Sequence, residues 1–140
     1  MRLISLFSIL LFISCSTGSF SKRIIQPING YAQMIVIEQN GVKTLHISGQ
    51  IGEGENLEAQ MRDVLDKLLV LLESEGGGYE HLVKINSYIV DYQPEDLAVF
   101  RNVRKEIFTA QITPASTLVG VTSLALPDWL IEIDAVAVID

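Results

Sequence analysis

From residue 31 onward, apolar and polar positions follow first a two-residue and then a three-to-four-residue rhythm. Ala32-Gln33-Met34-Ile35-Val36-Ile37-Glu38 is a β-prone run that closes at Asn40-Gly41, a strong two-residue hairpin signal. The return strand, Val42 to Ile51, sets Leu45, Ile47 and Gly49 on one side and Thr44, His46, Ser48 and Gln50 on the other. Gly52-Glu53-Gly54-Glu55 breaks it. Asn56 then caps a helix in which Leu57, Met61, Val64, Leu65, Leu68, Leu71 and Leu72 recur at helical spacing, ending at Gly76-Gly77-Gly78. A strand over about Leu82 to Val90 follows.

Pro94 opens a second helix, at a first-turn position where its missing N–H costs nothing. Leu97, Phe100, Val103, Ile107 and Phe108 mark its buried side. Beyond Pro114, Thr117 to Leu124 is strand-like, and Pro127-Asp128 turns the chain into a last strand, Leu130 to Ile139. Both alternating sets of that strand are largely apolar, so both of its faces are expected to be covered. The order is β-β-α-β-α-β-β, an α+β arrangement with two helices on one sheet face. The other sheet face is left open, and its apolar residues predict self-association.

The amino-terminal stretch has a different pattern. Arg2 precedes Leu3 to Ile13, an 11-residue run that is apolar apart from Ser5 and Ser8. It is too short to span a bilayer but fits the apolar part of a signal peptide. Phe12-Ile13-Ser14-Cys15-Ser16 resembles a bacterial lipobox, with leucine more usual where Phe12 stands. Cys15 is the single cysteine and has no disulfide partner within the chain; lipidation would explain it, and loss with an ordinary signal peptide is the alternative. The expected organisation is a signal peptide over residues 1–14, a small polar tether over 15–24 and one domain over 25–140. The expected location is the cell envelope or periplasm, with membrane contact only through a lipid on Cys15.

The 140 residues suit one domain, and 49% hydrophobic content allows a compact core. A net charge of −7 with scattered basic residues argues against a nucleic-acid surface, which needs clustered Lys and Arg. His46 and His81 lie far apart and no Cys/His cluster exists, so no metal site is expected.

Tyr31-Ala32, Leu45-His46-Ile47-Ser48-Gly49-Gln50-Ile51, Gln60, Val83-Lys84, the run Pro114 to Val121, and Leu130-Ile131-Glu132-Ile133-Asp134-Ala135-Val136-Ala137 occur in an order that resembles the Rid (reactive intermediate deaminase, YjgF-type) superfamily over about Ile25 to Asp140. The resemblance implies a chorismate-mutase-like fold and a homotrimer with a small-molecule cleft between each pair of subunits. In enzymatic members those clefts hydrolyse imines or enamines to keto acids and ammonia, with no cofactor.

Family deaminases read Pro-Ala-Arg-Ser/Thr, with the arginine gripping the substrate carboxylate; this chain reads Pro114-Ala115-Ser116-Thr117. A serine hydroxyl cannot supply the two parallel charged hydrogen bonds of a guanidinium. Losing such a contact costs on the order of 2–5 kcal/mol, or roughly 30- to several-thousand-fold in binding. That weighs against standard deamination of carboxylated imines. A cysteine often found two positions after that arginine is Leu118 here.

The resemblance assigns Glu132 to orienting the attacking water. Strand geometry puts Glu132 and Asp134 on one face, about 7 Å apart, and a dry cleft would favour a protonated acid there. Tyr31, Gly49, Asn102, Ser116 and Thr117 are the candidate substrate-binding residues. Tyr31 could equally be a half-buried strand residue, Asn102 a solvated helix residue, and Gly49 a relief of sheet packing. Arg62, Arg101 and Arg104 read as solvated surface charges. Three functions compete: a divergent imine or enamine hydrolase, a non-catalytic binding protein of the envelope, and the endoribonuclease for which some family members are named, which the acidity disfavours.

Overall fold

The computed structural model describes residues 18–140; the signal peptide expected over residues 1–14 and the lipidation expected at Cys15 fall outside the described residues. Six strands form one mixed sheet: β1 (Phe20–Ile28), β2 (Tyr31–Gln39), β3 (Val42–Ile51), β4 (Leu82–Val90), β5 (Ala115–Val121) and β6 (Ile131–Ile139). Two helices, α1 (Leu57–Ser74) and α2 (Asp96–Ile107), pack on one face. The spatial order is β1-β2-β3-β6-β4-β5, with β4 and β5 parallel and every other pair antiparallel.

One strand was not expected. Residues 20–24 belong to β1 rather than to a tether, and the sheet starts ahead of the predicted domain boundary at residue 25. β1 pairs with β2 from Phe20↔Gln39 to Ile28↔Tyr31 through a turn at Asn29-Gly30. Both turn residues have positive φ (47° and 92°), as do Asn40 and Gly41 (55° and 86°) in the next hairpin. This is the backbone that a right-twisted two-residue hairpin requires, and Asn-Gly adopts it at low cost. β1 is an exposed edge strand, kept from further pairing by Lys22, Arg23 and Pro27. Arg23 fastens it to the end of α1 through two bonds to the buried Glu75 carboxylate, which Lys43 also approaches at 3.5 Å.

The helix-facing side of the sheet is apolar. Met34, Val36, Leu45, Ile47, Ile85, Ile89, Ile131 and Ile133 pack with Met61, Val64, Leu65, Leu68 and Leu72 of α1 and with Phe100 and Val103 of α2. Ala135 and Ala137 in the central β6 keep that floor low for the helices above. No helix among the described residues packs on the opposite face. It carries half-buried Ile35, Ile37 and Val136 and exposed Val138, so among the described residues β6 is covered on one side only.

A buried glutamine locks α1 to the loop before β6. Gln60 Nε2 donates to the carbonyls of Gly54 (3.1 Å) and Asp128 (2.8 Å), and its Oε1 accepts from the Leu130 N–H at 2.8 Å. Gly52 lies so close to this turn of α1 that a Cβ there would stand 1.9 Å from the Gln60 carbonyl oxygen. Gln60 thus fixes Leu130, immediately ahead of β6 and two residues before Glu132.

Candidate functional site

The site begins with an irregularity in β3. Ile47 faces Ala135 and Gln50 faces Ile133, so three steps on β3 match two on β6. This bulge around Ser48-Gly49 departs from simple alternation: Gln50, not Gly49, joins Leu45 and Ile47 on the buried side. Gln50 is held there by the Gln33 amide (3.1 Å) and by its own bond to the Ser48 carbonyl (2.8 Å). Ser48 Oγ donates to the Ala32 carbonyl at 2.6 Å.

Gly49 is released to lie under the Glu132 side chain. A Cβ at Gly49 would stand 1.8 Å from Glu132 Oε1 and 2.5 Å from its carboxyl carbon. The carboxyl therefore occupies space that only glycine leaves open. No hydrogen bond or ion pair reaches Glu132 among the described residues, and burial, followed by the nearby Asp134 charge, pushes its pKa above the usual carboxylate range.

Asp134 shares the open face with Glu132 and is fully engaged. It accepts from Asn86 Nδ2 at 2.7 Å and from the Tyr88 hydroxyl at 3.2 Å. Those partners stand beside it on β4, where Tyr88 pairs with Glu132 and Asn86 with Asp134. The Asp134 charge raises the Tyr88 pKa, so that hydroxyl remains a donor. The two neighbouring acids thus have different surroundings. Asp134 is solvated by side-chain donors, whereas Glu132 is uncompensated and holds its proton more readily than an ordinary carboxylate.

The other candidate residues divide between this group and a second place. Tyr31, at the start of β2 and 57% exposed, shares a concavity of about 220 Å3 with Gly49 and Lys67. Thr117 lies in register with Asn86 and accepts from Lys84 Nζ at 2.6 Å, which extends the polar row across β5, β4 and β6. Ser116 lies elsewhere. It is in register with the buried Ile85, on the helix side of the sheet, and its Oγ accepts from Arg104 Nη1 of α2 at 3.1 Å. Asn102 is exposed on α2 and joins neither group.

Arg104 departs from the sequence expectation. It is half-buried, with its guanidinium 5.3 Å from the Phe100 ring centroid and 4.7 Å from that of Phe108. The signal was present in the spacing, since residues four before and four after Arg104 are both phenylalanine, Phe100 on its helix face and Phe108 just past the helix end. Arg62 remains on the surface, bonded to Glu58 and Glu106.

An α+β sheet with two helices on one face, an acidic pair on the other and a glycine floor beneath one acid defines a class of small domain. The family model described as Endoribonuclease L-PSP matches residues 21–139. A RutC family protein of Synechocystis is 34% identical over 123 residues, covering 81% of this chain and 88% of that protein. One of Pyrococcus horikoshii is 32% identical over 126 residues, covering 84% and 94%. Among solved structures, a YjgF family member from Neisseria meningitidis superposes with a TM-score of 0.73 at 27% identity, over 86% of this chain and 96% of that one. A Mycobacterium tuberculosis member of the YjgF/YER057c/UK114 family gives 0.73 at 25%, over 85% and 100%. The chain belongs to this family, the Rid/YjgF superfamily that the ordered motifs resemble.

Proposed function

We propose that this protein hydrolyses an imine, enamine or related small metabolite, with Glu132 as the acid–base group, in clefts completed between the subunits of a homotrimer. The observation that carries the proposal is the Glu132 carboxyl, set over Gly49 without a partner among the described residues and with a raised pKa. A protonated Glu132 donates to the imine nitrogen. The resulting carboxylate takes a proton from water as the water oxygen bonds to the imine carbon. Glu132 then protonates the amine nitrogen, and as the C–N bond breaks the carbinolamine hydroxyl gives its proton back to the Glu132 carboxylate, leaving a carbonyl, ammonia and the protonated acid. Every step is a proton transfer, an addition or an elimination, and no oxidant is needed.

The trimer reading is supported by the apolar strip of the open sheet face, Ile35, Ile37, Val136 and Val138, which nothing among the described residues covers. The alternative reading, a ligand-binding protein without chemistry, is favoured by Ser116, which stands where the family arginine is expected and faces α2 instead. Its location is proposed as the cell envelope, through residues 1–14 and a lipid on Cys15. Intact-mass measurement of native protein from membrane and soluble fractions checks that.

The activity test is ammonia release from a panel of freshly generated imines and enamines, with and without carboxylates. Glu132→Gln is expected to abolish acceleration while leaving the circular-dichroism spectrum unchanged. No acceleration by wild type across the panel, together with ligand-induced thermal stabilisation, would favour the binding reading.

A further inference from the structure

A second concavity, of about 320 Å3, lies on the outer side of α2 and is lined by Arg101, Arg104, Lys105, Phe108 and Thr113. Its size is at the lower end of small-molecule sites, roughly 300–1,000 Å3. Three cations meet there in a chain whose net charge is −7. Arg23, Arg62, Lys43 and Lys67 are each met by a carboxylate, whereas Arg101, Arg104 and Lys105 form no ion pair among the described residues.

Arg104 is the organised member of this group. Phe100 and Phe108 hold its guanidinium plane, and Ser116 Oγ accepts from Nη1. That leaves most of its five N–H donors without a protein partner. A half-buried guanidinium is partly stripped of water, and burial pulls its pKa below the usual value, yet it stays charged at neutral pH. A charge so placed and fixed in orientation gains most from a planar anion able to accept two parallel bonds. Phe108 supplies an apolar wall alongside.

The geometry points to a site for a small organic carboxylate carrying an apolar group, gripped by Arg104 with Arg101 and Lys105 at its rim. It does not depend on Glu132, which lies on the opposite face of the sheet. Ser116 acquires a role in this arrangement: its hydroxyl accepts from Arg104 Nη1 and steadies the guanidinium.

Benzoate serves as the probe and benzamide, of the same shape without charge, as its control. Titration of the full chain followed by backbone amide NMR is expected to show saturable benzoate binding, with shifts concentrated on α2 and the start of β5, and no saturable response to benzamide. Arg104→Gln should weaken binding about tenfold or more. Arg104→Lys should also weaken it, because an ammonium keeps the charge but not the fork. Glu132→Gln should leave it unchanged, so the site and the hydrolase proposal can fail separately. If Arg104→Gln proves poorly folded, Arg104→Lys and Ser116→Ala carry the test. Equal binding of benzamide, undiminished binding by both Arg104 variants, shifts centred on Glu132, or no saturable binding would each overturn the proposal. So would release of monomers from an oligomer by Arg104→Gln without benzoate binding in wild type, which would assign the concavity to a subunit contact.

Discussion

Replacing Gly49 with alanine adds a single methyl group at the point where the candidate site has least room. The new Cβ would stand 1.8 Å from Glu132 Oε1, 2.5 Å from Cδ and 2.8 Å from Cγ, against 3.4 Å for ordinary contact. The backbone at Gly49 is free of the positive φ that would itself penalise alanine, so the conflict is confined to the Glu132 side chain. To escape, the carboxyl must retreat by about 1.6 Å, toward the open face and solvent. A misplacement of about 1 Å at a reacting group costs on the order of a hundredfold in rate. Gly49→Ala is therefore expected to lower kcat/KM for imine hydrolysis by about a hundredfold or more. Its fold should persist, because the displaced group belongs to the half-buried face. The assay is ammonia release at matched substrate concentration, with urea unfolding as the control. Wild-type activity in a folded Gly49→Ala protein would refute the placement of Glu132 as the working acid.

Four further outcomes follow from the same contacts. Gln60→Leu strands the Leu130 N–H and the Asp128 and Gly54 carbonyls, so urea unfolding should show a loss of about 2–4 kcal/mol. Ser87 Oγ is buried with no partner among the described residues, so Ser87→Ala should raise stability by about 1 kcal/mol and the melting midpoint by roughly 4 °C in a thermal scan. Arg23, and less strongly Lys43, hold the Glu75 carboxyl below its usual pKa. Its stabilising contribution is present above the ordinary carboxylate pKa and lost as pH falls through the lowered one. Glu75→Gln should therefore be less stable than wild type at neutral pH, and the gap should close in acid, as read from urea midpoints across pH. Glu132 has the opposite sign: its raised pKa means stability is full below the ordinary value and lost as pH rises through the raised one. Glu132→Gln should match wild type in acid and exceed it at neutral pH in the same series.

Helical spacing from Leu57 to Leu72 and the alternation of Ile131, Ile133, Ala135 and Ala137 made α1 and β6 legible, because one face of each is buried without interruption. β1 was not, since its charged and proline-bearing sequence is that of an exposed edge with almost no burial to impose a pattern. The Asn29-Gly30 pair was its one clear signal, and the same dipeptide at residues 40–41 did reveal the next hairpin. The bulge at Ser48-Gly49 escaped because strict alternation assigns Gly49 to the core and Gln50 to the open face, the reverse of what the sheet adopts. Glu132 and Asp134 were legible as a pair on one face. Their different electrostatics were not, because these depend on Asn86 and Tyr88, far away in sequence. Arg104 was misjudged for a related reason: residue type suggested a solvated charge, while two phenylalanines one helical turn to either side had already defined its surroundings.

The distinct chemistry assigned to Glu132 is most directly tested by carbon-13 NMR titration of its side-chain carboxyl in the wild-type protein. A titration midpoint above the ordinary glutamate value, falling back toward it when Asp134 is replaced by asparagine, is the predicted result. A Glu132 midpoint at or below that of a free glutamate would contradict the account.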